Sequence, residues 1–394
     1  MSYPFRLSEM AVSANPSEPM STPLSPSTTQ HRIPSLDGLR AVSIFMVVAL
    51  HTLQRFDVNH TVAVGWYAVF NGGAGVFIFF EISGFLITSL LLKENEKRGS
   101  ISLGGFYVRR AFRILPPLYL YIGVVAALGF AGVLHVLPID VIGSAFFFHN
   151  IVNGSTWSLE HLWSISVEEQ FYLVWPFILV FCLRRKSVNG RMWAAVFPAT
   201  VIVLSPFARV LMRMSHNEAL HKASVNYLKF DFIMFGCLVA LLQGTTRFEA
   251  IYRFCTRWWW APPLTFLICN LISMVYKNYF DLTIGFTLNG FAIAMFLLWC
   301  TRNAETVSGR VLNSWMMAKI GVLSYSIYLW QTLFLHEGNE QVFGWAPWLG
   351  QFPGNWLGFV LAACISYYAV EQPSLRLRDF VIRRVRASQK PRVA

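Results

Sequence analysis

The sequence predicts an all-α, polytopic integral membrane protein of ten transmembrane helices, both termini cytoplasmic, with a short re-entrant or interfacial helix near 139–150. Three observations carry this expectation. Of the 394 residues, 55% are hydrophobic and only 13% charged, outside the balance of a soluble domain. Apolar stretches close to the roughly 17 to 25 residues that a bilayer requires recur along the chain. Lysine and arginine gather in alternate connections, as positive-inside topology demands.

The stretches lie at 38–56, 69–92, 111–134, 167–183, 192–211, 228–243, 258–276, 282–300, 318–336 and 355–372. The piece IDVIGSAFFFHN at 139–150 is too short to span, and is tolerable at membrane depth only if protein or a wet cavity covers its backbone ends. With that piece not crossing, one side receives Arg40, the cluster from Lys93 to Arg113, Arg184 to Arg191, Arg247 to Arg257, Arg302 to Lys319, and Arg376 to Arg392. The other keeps Arg55, Arg209, Arg213, Lys222, Lys229 and Lys277. If it crossed, the basic carboxy-terminal end would face outward, against the orientation rule.

Residues 1–31 are rich in Ser, Pro and Thr and lack the apolar core of a signal peptide, so they read as a disordered cytoplasmic tail. The membrane domain is expected at 32–378 and a basic cytoplasmic tail at 379–394. The formal charge of +12 lies in short clusters between apolar runs rather than on one polar face, which favours topology over nucleic-acid binding. Six cysteines show no CxxC or Cys/His spacing and read as packing residues, with neither a disulfide frame nor a metal site expected. No internal repeat is evident, which argues against an inverted-repeat transporter.

Several ionisable groups stand out within the apolar stretches. In LDGLRAVSIFMVVALHT, Arg40 and His51 are eleven residues apart, about 1100° of helix, so they share a face about 16 Å apart along the axis. Intramembrane ionisable groups usually face the bundle interior. An anchoring Arg40 and a hydrogen-bonded packing role for His51 are the plain alternatives. In FYVRRAFRILPPLYL, Arg110 and Arg113 share a helix face, with Arg109 and Arg113 nearly as well aligned; such a pair suits either phosphate recognition or topology. In HLWSISVEEQFYLVWP, Ser166 can cap a helix whose first turn holds Glu168 and Glu169, of which at most one faces fully inward. Glu81 lies deep among apolar residues, where a carboxylate must pair or stay protonated. Asp231, Asp281 and Glu371 fall near span ends, where structural roles are commoner. Trp157, Trp163, Trp345 and Trp348 fall in outward segments, suited to sugar stacking or interface anchoring.

Together these motifs resemble the acyltransferase family 3 membrane O-acyltransferases over about Ile33 to Arg378. The resemblance rests on LDGLRA continuing to His51, on GVFIFFEISGFLIT, on Arg110-x-x-Arg113 in RRAFRILPPLY, on WSISVEEQFYLVWP, and on LSYSIYLWQ and YYAVEQP. It implies ten spans in a bacterial cytoplasmic membrane and acyl-CoA, with acetyl as the acyl group, as a cytoplasmic donor engaged by Arg110 and Arg113. It further implies His51 as essential for transfer to a hydroxyl of a surface carbohydrate or related acceptor, with Arg40 and Glu168 as functional positions. Where the family often reads Tyr-Leu-Trp-His, this chain has Gln331, so a second histidine is missing. Glu81 replaces a usually apolar residue. The extra hydrolase-like domain of some relatives is not expected within 394 residues. The mechanism expected is general base catalysis by His51, oriented by Glu168, or an acyl-histidine intermediate. A proton-coupled transporter or flippase is the rival class.

Overall fold

The computed structural model describes residues 33, 35–55, 72–152, 156–184, 190–215, 229–276, 280–336 and 342–388. The expected tail at 1–31, the last residues of the basic tail, and parts of the outward segments 212–229 and 337–354 lie outside them. The described residues are helices and their connections: α1 (Leu36–Arg55), α2 (Gly72–Arg98), α3 (Leu103–Phe130), α4 (Pro138–Ala145), α5 (Trp157–Glu160), α6 (Leu162–Arg184), α7 (Gly190–Met214), α8 (Phe230–Leu242), α9 (Thr246–Arg257), α10 (Ala261–Tyr276), α11 (Phe286–Arg302), α12 (Val307–Leu312), α13 (Trp315–Leu335), α14 (Gly354–Ser366) and α15 (Gln372–Ser388). Wide turns at Asp281–Gly285 and Tyr367–Glu371 lead into α11 and join α14 to α15. Each of the ten apolar stretches is helical over most of its described residues. Residues 379–388, expected in the basic tail, continue α15 as helix.

Six helical segments are long and apolar enough to cross a membrane: Leu36–Gln54, Gly72–Arg98, Leu103–Phe130, Trp157–Arg184, Gly190–Met214 and Asp281–Arg302; α8 and α10 are apolar but shorter. At 13 residues, α8 is about 20 Å long, less than a hydrocarbon core. α13 has the length, at 21 residues, but spends its inward face on Ser324, Tyr325, Tyr328, Gln331 and Thr332. Outward faces are apolar: Leu173, Phe177 and Phe181 on α6, and Phe207 and Leu211 on α7, are exposed. Cys237, Cys269 and Cys300 are buried and unpaired.

The most intimate pairs are α2 with α8 and α1 with α13. Both need glycine at the crossing. A Cβ at Gly236 would strike the carbonyl oxygen of Glu81, and one at Gly321 that of Asp37. Proline placement is matched by donors from neighbouring helices. Pro116 has no N–H for the carbonyl of Phe112, one helical turn back, and Ser374 Oγ of α15 donates to that oxygen at 2.7 Å. Tyr325 of α13 donates to the Ile114 carbonyl at 3.0 Å.

The short piece at 139–150 is α4 followed by a turn, and protein covers its ends. Leu137 N donates to Thr156 Oγ1 at 3.1 Å, and buried Asp140 accepts from Thr156 N at 2.9 Å. Phe147 takes a left-handed conformation (φ 60°), and its carbonyl accepts from Gln170 Nε2 of α6 at 2.8 Å. Asn150 and Gln170 exchange amide hydrogen bonds at 3.0 and 3.2 Å.

The acids near span ends are structural in their contacts. Asp231 forms a buried ion pair with Arg209, whose guanidinium lies 5.2 Å from the Phe286 ring. Asp281 accepts from Ser273, and Glu371 from Ser326 at 3.2 Å. Glu81 is completely buried beside Asp231 and neither of its carboxyl oxygens has a hydrogen-bond partner.

At the end of α11, Arg302 clamps Glu249 of α9 through two bonds of 2.7 and 2.8 Å, with Tyr252 under the guanidinium at 4.3 Å. Exposed Trp258, Trp259 and Trp260 follow α9, a placement suited to a membrane interface. The Arg302 hydrogen bonds hold the Glu249 carboxyl down at about 2, so the clamp is present above the ordinary carboxyl value of about 4.3 and is lost as pH falls through about 2. Amide hydrogen exchange should show α9 equally protected at about pH 7 and about pH 5.5 in the native chain. In Glu249→Gln, protection of α9 should fall at both.

Deleting one partner of a buried ion pair typically costs about 3–5 kcal/mol, whereas replacing both with apolar residues is often neutral. Asp231→Ala should therefore sharply lower the melting temperature of detergent-solubilised protein. The double change Arg209→Leu with Asp231→Leu should recover most of the loss.

Candidate active site

The first half of α1, α2, the start of α3, α6 and α13 enclose a cavity of about 100 Å³ whose lining is unusually polar for an apolar bundle. Arg40, Arg110 and Arg113 line it together with Ser83, Ser164, Glu168, Glu169, Tyr172, Ser324, Tyr325 and Tyr328. Three guanidinium groups thus line one pocket with two carboxyl groups, which offers charge-assisted bonds to an anionic, phosphate-bearing guest.

Each charge is held by its own local structure. Arg40 is one turn after Asp37, to which it bonds at 3.3 Å. Arg110 lies 4.9 Å over the Tyr172 ring and 5.9 Å from Phe106, contacts that fix the plane of its fork. Arg109, the alternative partner of Arg113 from spacing alone, points elsewhere and bonds Glu94 at 3.2 Å. Glu168 accepts from Ser83 Oγ at 2.7 Å, and Tyr172 donates to the same Ser83 oxygen at 3.0 Å.

Glu169 lines the cavity as well as Glu168. The cavity wraps far enough around α6 to meet both side chains. Glu168 turns toward α2, while Glu169 interacts most strongly with Arg110 of α3.

His51 is not among the lining residues. It is half-buried, its Nδ1 paired with Gln331 Oε1 at 2.7 Å and its ring 5.9 Å from Trp157, edge to face. The expectation that Glu168 orients His51 is therefore corrected: Gln331 is the bonded partner. The reason is the helical rise of about 16 Å between Arg40 and His51, since Glu168 sits level with Arg40 and the cavity.

Between cavity and imidazole stands a polar partition. Tyr328 lines the cavity, its hydroxyl 2.7 Å from Ser164 Oγ and donating to the His161 carbonyl at 2.9 Å. Its ring packs against His161, centroids 5.3 Å apart. His161, 6% exposed, pairs through Nδ1 with Thr332 Oγ1 at 3.1 Å, and Thr332 with the Tyr121 hydroxyl at 3.0 Å. Trp157 stacks on His336 at 4.8 Å on the far side of His51. Of the other outward tryptophans, Trp345 and Trp348 are exposed, and Trp163 lies 4.7 Å from Lys229 Nζ.

Ser83, Tyr172, Tyr328 and His161 were missed in the sequence reading. A signal for Tyr328 existed: Ser324, Tyr325, Tyr328, Gln331 and Thr332 recur at helical spacing on a mostly apolar helix and form one polar stripe from cavity to His51. Ser83 and His161 carry no such pattern, because they matter only through contacts made by other helices.

The family model for an acyltransferase domain matches residues 33–371. The chain is 31% identical over 380 residues to YrhL of Bacillus subtilis (strain 168), provisionally named a peptidoglycan O-acetyltransferase, covering 90% of this chain and 56% of that protein. It is 29% identical over 329 residues to the peptidoglycan O-acetyltransferase OatA of Listeria monocytogenes serovar 1/2a, covering 76% of this chain and 48% of OatA. The chain thus spans about half the length of these curated relatives. No solved structure matches. The match over most of the chain, through every helix that lines the cavity, places the protein in the acyltransferase family 3.

Proposed function

We propose that this protein is a multi-pass membrane O-acyltransferase that moves an acyl group, acetyl by analogy with its relatives' names, from cytoplasmic acyl-CoA to a hydroxyl of a glycan. The observation that carries the reading is the convergence of Arg40, Arg110 and Arg113 with Glu168 on one cavity, joined by a polar stripe to His51. An acyl-CoA donor has the matching anatomy: phosphates for the guanidinium groups and a thin arm able to extend along α13.

The topology belongs to the same proposal. Ten crossings with both ends cytoplasmic, in a bacterial cytoplasmic membrane, put Arg110 and Arg113 at the donor side and His51 about halfway across. The donor then enters from the cytoplasm and the acceptor approaches from the opposite face, toward Trp157 and His336. In this reading the Tyr328 hydroxyl releases Ser164 to let the thioester arm pass.

His51 is suited to general base chemistry near neutrality. With Gln331 Oε1 accepting from Nδ1–H, Nε2 is the nitrogen that takes the acceptor's proton. Gln331 does here what a carboxylate does in a hydrolase triad, fixing the tautomer. Glu168, through Ser83, belongs to the donor cavity, where it balances Arg110 and Arg40. The peptidoglycan named in the relatives makes a cell-wall glycan the first acceptor to test.

Two experiments test the reading. His51→Ala should cut transfer of radiolabelled acetyl from acetyl-CoA to cell-wall glycan about 100- to 10,000-fold in membranes, with protein still folded and inserted; retained transfer removes His51 from the chemistry. Arg110→Ala combined with Arg113→Ala should raise the KM for acetyl-CoA at least about tenfold, as expected for charge-assisted contacts worth about 1.5–3 kcal/mol each. An unchanged donor KM argues against the phosphate clamp.

A further inference from the structure

The surroundings of His51 hold several buried polar atoms without hydrogen-bond partners. These are Nε2 of Gln331, which is 0% exposed, Nε1 of Trp157 and Nε2 of His161. A buried polar group left without a partner is costly, so several gathered beside one imidazole point to a guest that meets them. The character of that guest follows from the donors. Gln331 spends its oxygen on His51 Nδ1 at 2.7 Å, which leaves its amide as an N–H donor only. The indole of Trp157 is likewise donor only. The imidazole nitrogen of His161 suits either role and does not decide the matter.

Both donors are fixed in place. The His51 bond holds the Gln331 amide, and Trp157 is clamped between the edge contact with His51 at 5.9 Å and the stack on His336 at 4.8 Å. Two rigid donor-only groups next to a basic nitrogen fit an oxygen that carries lone pairs and no hydrogen. The attacking hydroxyl gives its hydrogen to His51 Nε2 and keeps a lone pair for the carbonyl carbon, so the two N–H groups are left for a second oxygen, and a cation is repelled by N–H dipoles. A carbonyl oxygen, and more so the oxyanion it becomes, satisfies them.

We propose that Gln331 Nε2 and Trp157 Nε1 form the carbonyl-oxygen site for the acyl group in transit, an oxyanion site adjoining His51. The inference rests on the acyl-transfer reading above. The acceptor oxygen attacks the thioester carbonyl carbon while its proton passes to His51 Nε2, and the C=O electron pair moves onto oxygen. Gln331 and Trp157 donate to that oxyanion. Its collapse restores the carbonyl and breaks the carbon–sulfur bond, and the imidazolium returns its proton to the departing thiolate, leaving ester and thiol. The glutamine that stands where related chains often have histidine thus supplies two things through one amide: an acceptor for Nδ1–H and a donor for the substrate.

Two conservative substitutions separate these roles. Trp157→Phe keeps the ring contacts and removes the N–H. Gln331→Glu keeps an oxygen for His51 and removes the amide donor. Purified protein in liposomes is assayed with radiolabelled acetyl-CoA and solubilised cell-wall glycan, and melting temperatures check the fold of each variant. Loss of one such donor typically lowers kcat by about a hundredfold or more. That loss is expected for each variant, with the acetyl-CoA KM within about twofold and the melting temperature little changed. Should one variant fail to fold, the other decides. Folded variants with kcat within about threefold of the parent, or with the loss confined to KM, overturn the oxyanion site while leaving the acyl-transfer reading intact. A parent protein that transfers no acetyl to glycan overturns that reading, and this site with it.

Discussion

Burying charge among apolar helices is the constraint that organises this protein. Three guanidinium and two carboxyl groups line one cavity, and a fourth guanidinium, Arg209, is wholly enclosed with Asp231. Each such group is tolerable only with opposite charge, hydrogen bonds or an aromatic face at hand. The observed contacts supply them: Tyr172 under Arg110, Asp37 beside Arg40, Ser83 on Glu168, Phe286 by Arg209. Much of the helix arrangement reads as the answer to that requirement.

The two closest helix pairs divide the work. α2 and α8, in contact at Gly236, carry the buried Glu81 and Asp231, while another face of α2 lines the cavity with Ser83. α1 and α13, in contact at Gly321, carry the cavity's Arg40 at one level and the His51–Gln331 pair at another. Because one helix pair bears both, the distance between donor cavity and imidazole is set by helical rise and not by loop conformation. Chemistry placed on helices in this way is held more precisely than chemistry on loops.

Prolines extend the same logic. Two of them, Pro116 and Pro117, sit in α3 one helical turn after Arg113, and the carbonyl that Pro116 deprives of a partner is the one Ser374 satisfies from α15. Tyr325, which lines the cavity, bonds the neighbouring Ile114 carbonyl. The arginine pair is thereby tied to both α13 and α15, and a break in regular helix becomes a fastening point for the site.

What the sequence determined by itself was local and periodic. Ten apolar stretches marked helical segments, the helical period put Arg40 and His51 on one face and aligned Arg110 with Arg113, and the short 139–150 piece announced its need for cover. Those properties depend on residues near each other in the chain. The tertiary structure alone decided which helix met which. It sent Arg109 to Glu94 and away from Arg113, admitted Glu169 to the cavity beside Glu168, gave His51 to Gln331 in place of Glu168, and set Tyr328 and His161 between cavity and imidazole. Each of those outcomes joins side chains from different helices. In an apolar bundle such pairings follow from rotation and depth, and one helix read alone contains neither.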